Sequence, residues 1–292
     1  MSSARQIKQR IKTAKNISKI TKAMEMVSAS KMRRAQAQAL ATRPYTRALQ
    51  ESLQKLANEV KTDIHPFLTA HESGIDVAVV ISTDKGLCGG LNQNLFKEAM
   101  AWQKEHPHSK LVVIGRKAVA FARIYGLDVH AQFTDLPDTV GSNDTIAIST
   151  LVSKAFIDQT FRTVTVIYMD FISTLVQKVR TVQLLPLPKE VSDSFKSENS
   201  VEKQSTEYLF EPSPEEILGD LLNYYLENTV YQSFLEAKAS EHSARMVAMK
   251  NASENAGDLM KELELSFNKS RQAGITSELL DITTAILAQK GK

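Results

Sequence analysis

The residues best placed for chemistry stand together in Asp84-Lys-Gly-Leu-Cys-Gly-Gly90, after a short apolar run and before a helical pattern. A glycine-rich turn between strand and helix can cradle phosphate on backbone amides at the positive end of the helix. The spacing is neither G-x-G-x-x-G nor G-x-x-x-x-G-K-[ST], so the favoured reading is a tight turn that needs glycine's backbone freedom. Cys88 has no histidine near it in sequence, and its glycine neighbours point to a small packed thiol rather than a nucleophile. The six histidines make no H-E-x-x-H pattern. His106 and His108 flank a proline in a polar loop and are expected in solvent, while His242 follows Glu241 at a helical surface or seam. No catalytic set, metal site or cofactor site is expected.

The composition bounds what can position these residues. Of 292 residues, 42% are hydrophobic and 24% charged, which is folded protein and not wholesale disorder. The apolar run from Val77 to Ile81 is far too short to cross a bilayer, so no transmembrane segment is expected, and there is no signal-peptide core. A single cysteine excludes an intramolecular disulfide and fits a reducing compartment. Charge is unevenly spread. Residues 1–47 carry six Lys and six Arg against one acid, Glu25, a local net of +11 that leaves the remainder at −8. Such an end is expected to meet something acidic: nucleic acid, lipid headgroups or a protein surface. Tyr45 is the only aromatic before Phe67, so no base-stacking platform is offered. The same basic, acid-poor character imitates a mitochondrial transit peptide.

Period divides the chain into regions. Ile7, Ile11, Ala14, Ile17, Ile20, Met24 and Val27 recur at spacings of three and four, one face of a long helix. Pro44 is expected to kink or briefly break it, with the pattern resuming at Leu49, Leu53, Leu56 and Val60 and ending near Pro66. Between about 75 and 188, strand-like runs at 77–81, 110–114 and 163–168 and an alternating antiparallel or edge strand at 179–187 are interleaved with helices at 92–105, 116–125 and 143–161. That alternation predicts a largely parallel sheet with helices packed on it. Ser213-Pro-Glu-Glu216 then reads as a helix start, and no proline follows it. An apolar stripe from Leu218 through Phe234, Met249 and Leu263 to Ile286 describes a helix too long to have its own core, whose obvious partner is the N-terminal helix. The expected segments are an N-terminal coiled-coil helix at 1–66, an α/β domain at 72–188, a polar linker at 189–212 and a C-terminal coiled-coil helix at 213–292.

Three stretches carry a family resemblance: Lys15-Asn-Ile-Ser-Lys-Ile-Thr-Lys-Ala-Met-Glu-Met-Val-Ser-Ala-Ser-Lys-Met-Arg-Arg-Ala35, the turn Asp84-Lys-Gly-Leu-Cys-Gly-Gly-Leu-Asn92, and Ala244-Arg-Met-Val-Ala-Met-Lys250 with Asn268-Lys-Ser-Arg-Gln-Ala-Gly-Ile-Thr-Ser-Glu278. With the order of elements, they make the chain resemble the gamma subunit of F-type ATP synthases, of bacterial type, over nearly its whole length. The family's homology starts near residue 4, which demotes the transit-peptide reading. The resemblance implies an antiparallel coiled coil of long N- and C-terminal helices with a central Rossmann-like α/β domain. It implies a non-catalytic rotor shaft that couples ion flow to ATP synthesis or hydrolysis on the beta subunits. The implied partners are three alpha and three beta subunits, the epsilon subunit and the membrane c-ring. The implied place is peripheral, on the cytoplasmic face of the bacterial inner membrane.

By the same resemblance Arg271 and Gln272 match a pair that meets a loop of the beta subunit. Met24, Lys31, Arg33 and Arg34 match the basic segment near its acidic elements. Glu278 and Asp281 belong to the C-terminal signature, and Tyr208, Phe210 and Glu211 to the segment near the c-ring and epsilon. The chain has Ala285-Ile286 where the family usually has Gly-Ala, which is expected to stiffen the tip. The paired-cysteine insert of chloroplast relatives is absent, so thiol-based control is not expected. Two other classes compete with the rotor: a coiled-coil scaffold whose basic arm holds nucleic acid, and a nucleotide-using enzyme built on the turn at 84–90.

Overall fold

The computed structural model describes residues 4–59, 65–187 and 213–290. The linker expected at 189–212, and with it Tyr208, Phe210 and Glu211, lies outside the described residues. The chain opens with helix α1 (Ala4–Glu59) and closes with helix α5 (Pro214–Lys290), 56 and 77 residues long. Between them run β1 (Ile75–Ile81), α2 (Leu91–Glu105), β2 (Lys110–Ile114), α3 (Arg116–Tyr125), β3 (Val129–Phe133), α4 (Ser142–Ile157), β4 (Phe161–Phe171) and β5 (Gln177–Leu185). Two compact units emerge. One joins α1 up to Ser28 with α5 from Met246 onward; the other runs from Ala29 to Arg245.

The larger unit is built on one five-stranded sheet of order β3-β2-β1-β4-β5. The pairings β3·β2, β2·β1 and β1·β4 are parallel, and β5 closes one edge antiparallel to β4. Alternation along β1 sorts its side chains between two cores. Ala78 and Val80 face Leu95, Ala99 and Trp102 of α2 and Ala118 and Ala122 of α3. Val77, Val79 and Ile81 face Ile148, Val152 and Phe156 of α4 and Leu222, Leu226 and Phe234 of α5, with Leu49 and Leu53 of α1 in the same cluster. The sheet is therefore covered on both faces, as a parallel sheet requires, and the C-terminal helix supplies part of the cover.

Three expectations change. Pro44 sits inside α1 and does not divide it. Proline forfeits one backbone bond, but hydrogen bonds to α5 hold the helix on either side: Thr42 Oγ1 donates to Gln232 Oε1 at 2.7 Å and Asn228 Nδ2 donates to Thr46 Oγ1 at 2.9 Å. The helix expected over 143–161 stops at Ile157, where Gln159 takes a positive φ of 55°, and Phe161 opens β4 as a fully buried strand residue. Strand β3 was not expected. Its residues alternate between half-buried and exposed, so an edge strand with two polar positions lacks the apolar run that marks its neighbours.

In the larger unit the bonds Thr42–Gln232 and Thr46–Asn228 step in opposite senses along the two helices, so the pair is antiparallel. In the smaller unit Ile7 and Ala14 of α1 and Met249 and Ala256 of α5 are buried, and the Ser18 and Ser253 hydroxyls meet at 3.4 Å.

Candidate functional site

The turn at 84–90 leaves β1 at the carboxyl end of the sheet, where open α/β sheets bind ligands. Its side chains bond within the domain. Thr83 Oγ1 donates to the Lys85 carbonyl at 2.8 Å and accepts from Asn92 Nδ2 at 2.8 Å, while Asp84 Oδ1 accepts from the Arg116 backbone amide at 3.0 Å and so closes the start of α3. Leu87 and Gly89 both hold positive φ, 63° and 61°, which gives the turn its tightness. Cys88 is buried beneath it, with Asn92 Nδ2 at 3.5 Å from its sulfur, and burial pushes its thiol above the ordinary pKa. A thiol held protonated is a poor nucleophile.

The strand order reverses between β1 and β4, and a ligand crevice would open there. Helix α5 lies across it. Phe234, Ala237, Lys238 and Glu241 face Ile81, Ser82 and Thr83 around a cavity of about 10 Å³. That holds one water and no nucleotide. The fold that elsewhere makes a dinucleotide site is here closed by the chain's own last helix.

What stands over the turn is a polar grip. Glu241 accepts from Arg245 Nη2 at 2.8 Å and pairs with Lys238 Nζ at 3.5 Å, all three side chains being buried or nearly so. The Arg245 guanidinium also reaches the turn, donating to the carbonyls of Gly86 at 3.2 Å and Lys85 at 3.1 Å. On the same stretch of α5, Ser240 Oγ donates to the Met169 carbonyl at 2.9 Å and Ser243 Oγ to the Thr174 carbonyl at 2.7 Å. His242 sits among them, 2% exposed and with no hydrogen-bond partner on either ring nitrogen. Burial lowers its pKa to about 4, so the ring is neutral. The sequence reading put this histidine at a surface or seam and gave Arg245 no role. The signal was there in the run Ser240-Glu-His-Ser243, four polar residues interrupting an apolar stripe.

The residues singled out from the family resemblance fall into two groups. Arg33, Arg34, Arg271, Gln272, Glu278 and Asp281 are exposed, and the five charged ones make no ion pair among the described residues. Met24 is half-buried. Lys31 is engaged within the chain, where it pairs with Asp138 and draws that carboxyl below its ordinary pKa. Near the C-terminus Ile275, Leu279, Leu280, Ile282 and Ile286 are all about half or more exposed, an apolar surface that this chain alone does not cover. Among the described residues no helix is long and apolar enough to cross a membrane, and no cluster of His, Cys, Asp and Glu is arranged to hold a metal.

Comparison with known proteins gives a consistent answer. A family model described as ATP synthase matches residues 3–288. A chain from Legionella pneumophila named ATP synthase gamma chain is 39% identical over 286 residues, covering 97% of this chain and 98% of that one. One from Glaesserella parasuis with the same name is 41% identical, covering 99% of this chain and 100% of its own length. Among solved structures, a chain of the Euglena gracilis mitochondrial ATP synthase, in a structure of OSCP, F1 and c-ring, shares the fold at a TM-score of 0.70 and 21% identity, covering 98% and 94% of the two chains. A chain from the central stalk and c-ring of the Tetrahymena thermophila mitochondrial enzyme aligns at a TM-score of 0.60 and 27% identity, covering 80% of this chain and 99% of that one.

Proposed function

This chain belongs to the ATP synthase family and matches its gamma chains from end to end, and on that premise we propose that it is the central rotor shaft of an F-type ATP synthase. As the shaft it couples ion flow through a membrane ring to ATP synthesis or hydrolysis on the surrounding subunits. The observation that carries the reading is the match of both terminal helices and the middle domain in one continuous alignment. The shaft does no bond chemistry itself: the closed crevice and the protonated, buried thiol support a non-catalytic role. Its partners are three alpha and three beta subunits, epsilon and the c-ring, and its place is peripheral, on the cytoplasmic face of a bacterial inner membrane.

In this reading Arg271 and Gln272 meet a loop of the beta subunit, and Met24, Lys31, Arg33 and Arg34 face acidic beta elements. Glu278 and Asp281 belong to the C-terminal signature, and Tyr208, Phe210 and Glu211 serve the contact with c-ring and epsilon. Exposure supports the first assignments, since the Arg33, Arg34, Arg271 and Gln272 side chains are available to a partner. Lys31 would have to exchange its bond with Asp138 for one to a beta carboxylate. Basic side chains facing acidic levers attract at long range without interlocking. The exposed apolar tip can turn in an apolar bearing, because dispersion has no preferred direction.

Affinity purification of the tagged chain from its native membranes tests the proposal. Recovery of alpha, beta, epsilon and c subunits is the expected result. Recovery of the chain alone, or with nucleic acid, would overturn it.

A further inference from the structure

Helix α5 touches the α/β domain in two different ways. From Leu218 to Phe234 the contact is mostly apolar, through Leu222, Leu226 and Val230. From Ser240 to Arg245 it becomes directional: two serine hydroxyls and one guanidinium donate to carbonyls of the β4–β5 connection, the end of β4 and the turn after β1. Arg245 is also the last residue of the larger unit; with Met246 the helix passes to the smaller one. Apolar packing resists separation but yields to sliding and rotation, because its energy barely depends on which atoms face each other. Hydrogen bonds with fixed angles, and a buried guanidinium–carboxylate pair, do not yield in that way.

We infer that the segment Ser240–Arg245 is the torsional joint of the molecule, the place where torque passes between the α/β domain and the part of α5 beyond it. Ser240, Ser243 and Arg245 are positioning residues in this joint, and Glu241 holds the guanidinium in line. The four acceptor carbonyls lie on β4, in the loop that follows it and in the turn that follows its neighbour β1, so the grip spreads over two adjacent strand ends and not over a single loop. This inference rests on the rotor reading.

The test uses the assembled complex with a rod attached to the c-ring, turned by ATP hydrolysis against increasing drag. Ser240→Ala and Ser243→Ala delete one hydroxyl each and leave the packing in place. The double variant should hydrolyse ATP at the wild-type rate when unloaded, and slip about fivefold more often under load for each bond lost. Tyr231→Phe and Asn228→Ala remove hydrogen bonds further back along α5 and should leave slip unchanged. Wild-type performance by the serine double variant, or equal slip in the upstream controls, overturns the joint. A second pair covers a failure of the serine variant to assemble: Thr174→Cys with Ser243→Cys, oxidised to a crosslink, should rotate with less slip than wild type. Arrest by that crosslink overturns the joint as well. If the wild-type complex hydrolyses ATP without turning the rod at all, it is the rotor reading that fails.

Discussion

His242 carries the sharpest consequence of any single side chain. Its folded pKa of about 4 lies below the ordinary 6.5, so at intermediate pH the unfolded chain takes up a proton that the folded chain refuses. Stability is therefore full above pH 6.5 and is lost as pH falls toward 4, by up to about 1.4 kcal/mol for each pH unit. His65, also lowered by burial, adds a loss of the same sign. His242→Leu should flatten the pH dependence and raise stability at neutral pH by about 1–2 kcal/mol, because two buried nitrogens without partners disappear. Urea unfolding at pH 5 and pH 7.5 reads both effects; an unchanged slope would mean the ring finds a partner in solution. A different result is expected at Arg271 and Gln272, which are exposed. Arg271→Ala with Gln272→Ala should leave the melting temperature of the chain unchanged while weakening ATP-driven ion pumping by the complex. Loss of folding would make the pair structural. The polar run Ser240-Glu-His-Ser243 marks a break in the apolar stripe, but neither the depth at which His242 is buried nor the bond between Lys31 and Asp138 is legible in the sequence, since both depend on what the chain lays across the helix.

At the scale of elements, periodicity served where one face of an element is buried and failed where none is. The apolar runs of β1, β2 and β4 and the first part of the α5 stripe, from Leu218 to Ala237, are plain in the sequence because each is anchored in a deep core. β3, at the sheet edge, buries no residue fully and leaves only a weak alternation. The end of α4 is hidden in the sequence because the junction Asp158-Gln-Thr160 holds neither glycine nor proline, and the turn is set instead by Gln159 at positive φ. Pro44 misled for the opposite reason: local propensity opposed the helix and tertiary bonds from Thr42 and Thr46 prevailed. Its cost should still be measurable. Pro44→Ala is expected to stabilise the chain by about 1–3 kcal/mol, read as a higher urea midpoint, since it restores a backbone donor inside a continuous helix. A decrease would show that proline sets a bend that the packing needs.

For the whole molecule the informative quantity is the charge divide, +11 over residues 1–47 against −8 elsewhere, which was fully readable without a structure. On the proposed reading, a basic shaft that meets acidic beta elements should be steered by its field. Arg33→Gln with Arg34→Gln is expected to slow association with the alpha–beta hexamer at low salt, the difference from wild type fading as the screening length shrinks to about 3 Å near 1 M. A rate difference that survives high salt would place the two arginines in a specific contact. The closed crevice, by contrast, could not be read from sequence, because the turn at 84–90 looks the same whether or not α5 covers it. One further whole-chain property has practical value. The molecule holds a single sulfhydryl, Cys88, buried and kept protonated. A maleimide dye should pass it by in the native fold, so a cysteine introduced on the exposed tip, at Leu280 for example, would be labelled selectively with the natural one left in place. The chain comes ready for fluorophores.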